Sequence, residues 1–148
     1  MRSGARQGMS RTDSGIEIAL HFTDPRSLER LSEGGADSVS RLYFGNEFCN
    51  HLIPSSRTLS EVLARSRELG LLFSLVTPTV TDSGIDALGR LFRSLPDGSE
   101  VIVSDWGVLR LARTEFPSLL PVAGRLLCKI MKDPRLPSRD WTKLVPSR

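Results

Sequence analysis

Short apolar runs that stop at small or polar residues recur along this chain, and an amphipathic stretch with a helix-start signal separates each from the next. This alternation constrains the fold more than any single residue does. Ile16 to Phe22 is β-rich, and Asp24-Pro25 then reads as an N-cap with proline at the first helical position. The helix this opens runs through about Glu33, with Leu28 and Leu31 on its apolar face and Gly34-Gly35 at its end. A second strand, about Ser40 to Phe44, stops at Gly45 and releases the chain into a loop. Thr58-Leu59-Ser60-Glu61 reads as a capping box for a helix carrying Leu59, Val62, Leu63 and Leu69, which Gly70 terminates. Leu71 to Val76 is a continuous apolar run of the kind a parallel strand needs. Asp82 or Ser83 caps the next helix, with Ile85, Leu88, Phe92 and Leu95 facing inward, and Pro96-Asp97-Gly98 is a turn. Val101 to Val103 is the fourth strand. Trp106 to Glu115 is a helix capped by Asp105, and Leu119 to Val122 is a short fifth strand leading to Gly124-Arg125.

Regular βα alternation predicts an α/β fold with a parallel sheet and right-handed crossovers. A closed barrel of this type needs eight strands in ~200–250 residues, whereas 148 residues supply about five strands. The expectation is therefore a partial, about half, TIM-like barrel over residues 15–135. It is flanked by a disordered tail (1–14) and a basic, proline-containing tail (136–148).

Hydrophobic residues make up 39% of the chain and charged residues 25%, which places it among globular proteins. No apolar run approaches the ~20 residues that span a bilayer. Met1 to Ser14 lacks the apolar segment of a secretory signal, so the expected location is the cytoplasm. Cys49 and Cys128 are far apart and would be reduced there. Removing the net +2 of residues 1–15 and the net +5 of residues 125–148 from the chain's +3 leaves −4 for the middle. The basicity is terminal, which suits either a solvated end or a nucleic-acid partner.

The second loop concentrates chemistry, because Glu47, Cys49 and His51 follow Gly45 closely. In parallel α/β folds, sites form at the carboxyl ends of strands. Thr77, Thr79, Asp105 and Arg125 follow later strands and would share that rim. Cys49 reads as a buried small hydrophobe, a metal ligand or a nucleophile. Glu47 has no capping duty in sight, whereas Asp105 caps its helix whatever else it does. Arg125, Lys129, Lys132 and Arg135 form a basic cluster suited to a phosphate or carboxylate, or to plain solvation. His21 reads as a core or rim histidine. Zinc-type cysteine pairs, a Gly-x-Ser-x-Gly elbow, a Walker A loop and a dinucleotide fingerprint are all absent.

Three blocks, ADSVSRLYFGNEFC (36–49), GLLFSLVTPTV (70–80) and VSDWGVLRLARTEFPSLLPVAGRLLCK (103–129), resemble the collagenase-like peptidases (peptidase family U, number thirty-two). The resemblance covers roughly residues 16–135. That family includes iron–sulfur proteins of oxygen-independent ubiquinone biosynthesis and relatives that hydroxylate RNA. The resemblance implies a TIM-like barrel and a four-cysteine iron–sulfur cluster. One cluster ligand follows the second strand, at a place similar to Cys49, with the neighbouring acid shifted by one residue. Cys128 stands where relatives often have asparagine and takes no ligand role.

A cluster needs about four thiolates, so the others must come from a missing segment or a partner. The implied function is an N-terminal fragment or subunit of an iron–sulfur-dependent hydroxylation protein. Cys49 would be its metal ligand, and Glu47, Asp105, Arg125 and Lys129 its substrate-binding candidates. RNA or a small aromatic molecule would be the substrate. A metal-independent peptidase and a non-catalytic half-barrel are the alternatives, the latter pairing with a second subunit or with another copy of itself.

Overall fold

The structure, a computed structural model, describes residues 16–32 and 38–128. The expected tails, the Gly34-Gly35 helix stop and Lys129, Lys132 and Arg135 lie outside the described residues. Five strands alternate with four helices in the order β1 (Ala19–Phe22), α1 (Ser27–Ser32), β2 (Arg41–Gly45), α2 (Ser56–Glu68), β3 (Leu72–Val76), α3 (Asp82–Phe92), β4 (Glu100–Val103), α4 (Trp106–Glu115) and β5 (Leu120–Ala123). All strands are parallel and lie in sequence order across one sheet. The α/β class and the parallel sheet expected from the alternation are what the chain forms. No helix among the described residues is long and apolar enough to cross a membrane.

Several boundaries differ from expectation, each for a local reason. Helix α2 begins before Thr58 because Ser55 is the N-cap, and its hydroxyl accepts from the Thr58 amide at 3.1 Å. Thr58 is thus the recipient of a cap and not the cap itself. Asp24-Pro25-Arg26 forms a turn ahead of α1, closed by Ser27 N–H to the Asp24 carbonyl at 3.0 Å. Helix α3 starts at Asp82 with Thr81 at the N-cap position, and no side chain caps it. The stop at Gly70 is as expected. Gly70 has φ +66°, and the Gly70 and Leu71 amides return to the Arg67 and Ser66 carbonyls. That is a Schellman ending, which needs the left-handed residue that glycine supplies.

A strand order without reversal sends every right-handed crossover to the same face of the sheet. Accordingly Leu42, Phe44, Leu75, Val101 and Val103 pack with Leu59, Val62, Leu88, Phe92, Val108 and Leu111 in one apolar core. The strand residues between them point to the other face, which no described helix covers. On a flat exposed sheet they would be wet. Instead Ser74 is 0% exposed, Val76 3% and Ile102 8%, and neither Val76 nor Ile102 belongs to the helix-side core. On the same face Leu72, Leu120 and Val122 stay exposed, so the face is concave at its centre, where Arg41 bonds over Ser74 and a cavity stands above Val76.

The concave face is polar toward its amino end. Arg41 donates to Ser74 Oγ at 3.0 Å, Ser74 donates to Glu100 at 2.7 Å, and Glu17 takes the other side of the guanidinium. Burial alone would push the Arg41 pKa down. The hydrogen bond with Glu17 and the charge of Glu100 outweigh it, and the net shift is upward.

Candidate functional site

Because the strands are parallel, their carboxyl ends share one edge, and the loops leaving β2 and β5 meet there. Gly45 closes β2 at φ +131°, and a Cβ on it would run into the Val76 carbonyl oxygen. The close approach of β2 to β3 at this point therefore requires glycine. The next residue shapes the loop. Asn46 Oδ1 accepts from the Phe48 and Cys49 amides, both at 2.8 Å, and this Asx turn fixes the direction of Glu47.

Glu47 reaches Arg125 at the end of β5. Both Nε and Nη2 of the guanidinium donate to Glu47 Oε2, at 3.2 and 3.0 Å. The guanidinium carbon also lies 5.0 Å from the centroid of the Phe48 ring, a cation–π contact. The β2 and β5 strands are separated by β3 and β4, about 14 Å on a flat sheet at the usual spacing. Both residues lie in loops beyond the strand ends, and their long side chains span that gap.

Beside the bridge is a cavity of about 480 Å³ lined by His21, Tyr43, Asn46, Glu47, Phe48, Val76 and Arg125. His21 and Tyr43 are register partners on adjacent strands, so both project onto the concave face. His21 Nε2 lies 3.0 Å from the Gly45 carbonyl. A carbonyl only accepts, so Nε2 carries the hydrogen, and Nδ1 has no partner among the described residues.

Among the residues singled out from sequence, the structure brings Glu47 and Arg125 together. Asp105 is elsewhere engaged. Its Oδ1 caps α4 through the Gly107 and Val108 amides at 2.6 and 3.3 Å, and its Oδ2 takes the Val80 amide at 3.5 Å. It does not line the cavity. Thr77 is buried with its hydroxyl on the Ile102 carbonyl at 3.0 Å, and Thr79 is exposed.

Cys49 is a half-buried free thiol preceding the short 3-10 turn Asn50–Leu52, at the same edge of the sheet but outside the cavity lining. His51, in that turn, is exposed. Cys128 is free and exposed, its thiol 3.7 Å from the Ala123 carbonyl. Among the described residues, no group of three or more histidine, cysteine or acidic side chains is placed to hold a metal ion.

His21, Tyr43 and Phe48 were not singled out as site residues. The period-2 rule places His21 and Tyr43 on one face only once their register is known, and a sequence does not state which positions pair across strands. Comparison with protein-family models, with curated proteins and with solved structures returns no match.

Proposed function

We propose that the sheet is part of a TIM-like barrel whose carboxyl rim is a substrate site. On this reading the chain serves as an N-terminal fragment or subunit of an iron–sulfur-dependent hydroxylation protein of the collagenase-like peptidase family. The observation that carries the site is the Glu47–Arg125 bridge, which ties the loops after β2 and β5 together and lines a cavity. Two further features favour barrel geometry. Strand order is sequential, and helices pack on one face only. In barrels, substrates bind where strands end and loops begin.

The described residues do not by themselves fit a four-thiolate cluster. Cys49 is one half-buried thiol near the rim, Cys128 is exposed, and no multi-ligand group accompanies either among the described residues. The other thiolates would come from outside the described residues or from a partner. The test is anaerobic reconstitution with iron and sulfide of the longest in-frame gene product, with and without Cys49→Ser. The expected result is a visible absorption band that the substitution abolishes. An unchanged band in the variant removes Cys49 from the cluster, and colourless wild-type protein removes the cluster itself.

A second reading, a half-barrel that serves by pairing, is favoured by Ile16, Ile18 and Leu20 in and just before β1 and by Leu120 and Val122 on β5, the outermost strands among the described residues. All five are exposed. Unpaired strand edges bearing apolar side chains seek cover. Sedimentation of the wild-type chain as a monomer at all concentrations would count against this reading.

A further inference from the structure

The cavity beside the Glu47–Arg125 bridge has a lining whose hydrogen-bonding character can be counted group by group. The formal charges on its lining among the described residues, Glu47 and Arg125, cancel in the bridge. Two acceptors remain. Glu47 Oε2 receives both arginine bonds, which leaves Oε1 without one, and His21 Nδ1 has no partner among the described residues, Nε2 being spent on Gly45. Donors also remain, since the Tyr43 hydroxyl, Arg125 Nη1 and the Asn46 side-chain NH2 are not engaged among the described residues. Phe48 and Val76 supply apolar wall.

A site with no net charge gives a charged ligand no counterion to offset its desolvation. A site that offers acceptors and donors together best suits a ligand group that is both at once, and the alcohol hydroxyl is that group. Two or more hydroxyls are needed to use these positions together. A ring with an apolar C–H face would lie against the aromatic and aliphatic wall. The volume is within the ~300–1,000 Å³ usual for small-molecule sites.

We propose that this cavity binds an uncharged polyhydroxylated ring, that is, a sugar, with His21 and Glu47 accepting from its hydroxyls and Tyr43 and Arg125 donating to them. The proposal rests on the reading that the carboxyl-rim cavity is the ligand site. It is independent of whether Cys49 binds a cluster.

The test is a nuclear magnetic resonance titration of the whole isotopically labelled chain with glucose and with ribose, alongside benzoate and inorganic phosphate as anionic probes. The expected result is saturable millimolar binding of at least one sugar, with shifts centred on the His21 ring and Tyr43. Loss of one neutral hydrogen bond should weaken binding about five- to tenfold in each of His21→Gln and Tyr43→Phe. Tyr43→Phe keeps the ring, so it serves if His21→Gln fails to fold. Absence of sugar binding overturns the proposal. So does binding that neither variant weakens, or tighter binding of benzoate or phosphate at the same residues. The reconstitution experiment with Cys49→Ser reads a different property, so failure of the cluster and failure of the sugar site are separable.

Discussion

At the scale of single residues, the rim depends on Gly45 more than on any group with chemistry of its own. Its φ of +131° and the Val76 carbonyl beside it leave no room for a side chain. Gly45→Ala should destabilise the fold by about 1–3 kcal/mol, the usual cost of forcing a non-glycine residue into such a backbone. Urea unfolding measures it, and a loss below a few tenths of a kcal/mol would mean that β2 and β3 separate easily at this end. Asp105 presents the opposite case, a carboxylate at a strand end whose oxygens serve backbone amides. Asp105→Ala should cost about 1 kcal/mol as a lost helix cap and leave the resonances of the His21–Tyr43 cavity unmoved. A variant that shifted those resonances at unchanged stability would return Asp105 to the site. Arg125 is exposed, and its side chain is 69% accessible, so its bond to Glu47 contributes little to folding. Arg125→Ala should change stability by less than about 1 kcal/mol.

At the scale of elements, what could be read from the chain depended on how local the cause was. Gly70 as a helix stop, Asp105 as a cap and the apolar stripe of α2 are set within a few residues, and all stand where the sequence places them. The start of α2 was misread because Ser55 and Thr58 are both capping residues at plausible spacing, and only geometry shows which accepts from which. The cavity was legible only in part. Glu47 and Arg125 announce themselves by following strands, but their meeting depends on how loops three strand spacings apart are placed. The roles of His21 and Tyr43 depend on register in the same way. Strand β5 holds a feature whose meaning also waits on register. The Leu120 and Gly124 amides bond toward β4, so the alternating Pro121 faces the open edge, where it has no N–H to offer. Proline at that point discourages a further strand from adding there. Pro121→Val restores the donor and raises β propensity, so the variant should self-associate more than wild type in sedimentation velocity. Equal association of the two would show that this edge is already covered in solution.

At the scale of the whole molecule, the sheet faces two different interiors. The helix-side face is apolar and would build a core under any βα arrangement. The concave face keeps its polar groups only because they satisfy one another. Arg41 is the centre of that layer, linking Glu17, Ser74 and Glu100 across the amino ends of β2, β3 and β4. A buried hydroxyl and a half-buried carboxylate left without this partner would carry their desolvation cost alone. Arg41→Ala should therefore lower stability by about 1–3 kcal/mol, more than the Arg125 variant, although both remove an ion pair. The pH dependence follows from the sign of the shift. Burial lowers the Arg41 pKa, the hydrogen bond to Glu17 and the charge of Glu100 raise it by more, and the folded value ends above the unfolded one. A raised cationic pKa stabilises fully at every pH below the unfolded value and fades only as pH climbs through the folded one. Arginine reaches neither in the range where proteins are handled. The gap between wild type and Arg41→Ala should therefore stay constant from neutral to moderately alkaline pH in urea titrations. A gap that closed on mild alkalinisation would mean that some other titrating group holds the layer together, and the concave face would then owe its shape to something other than Arg41.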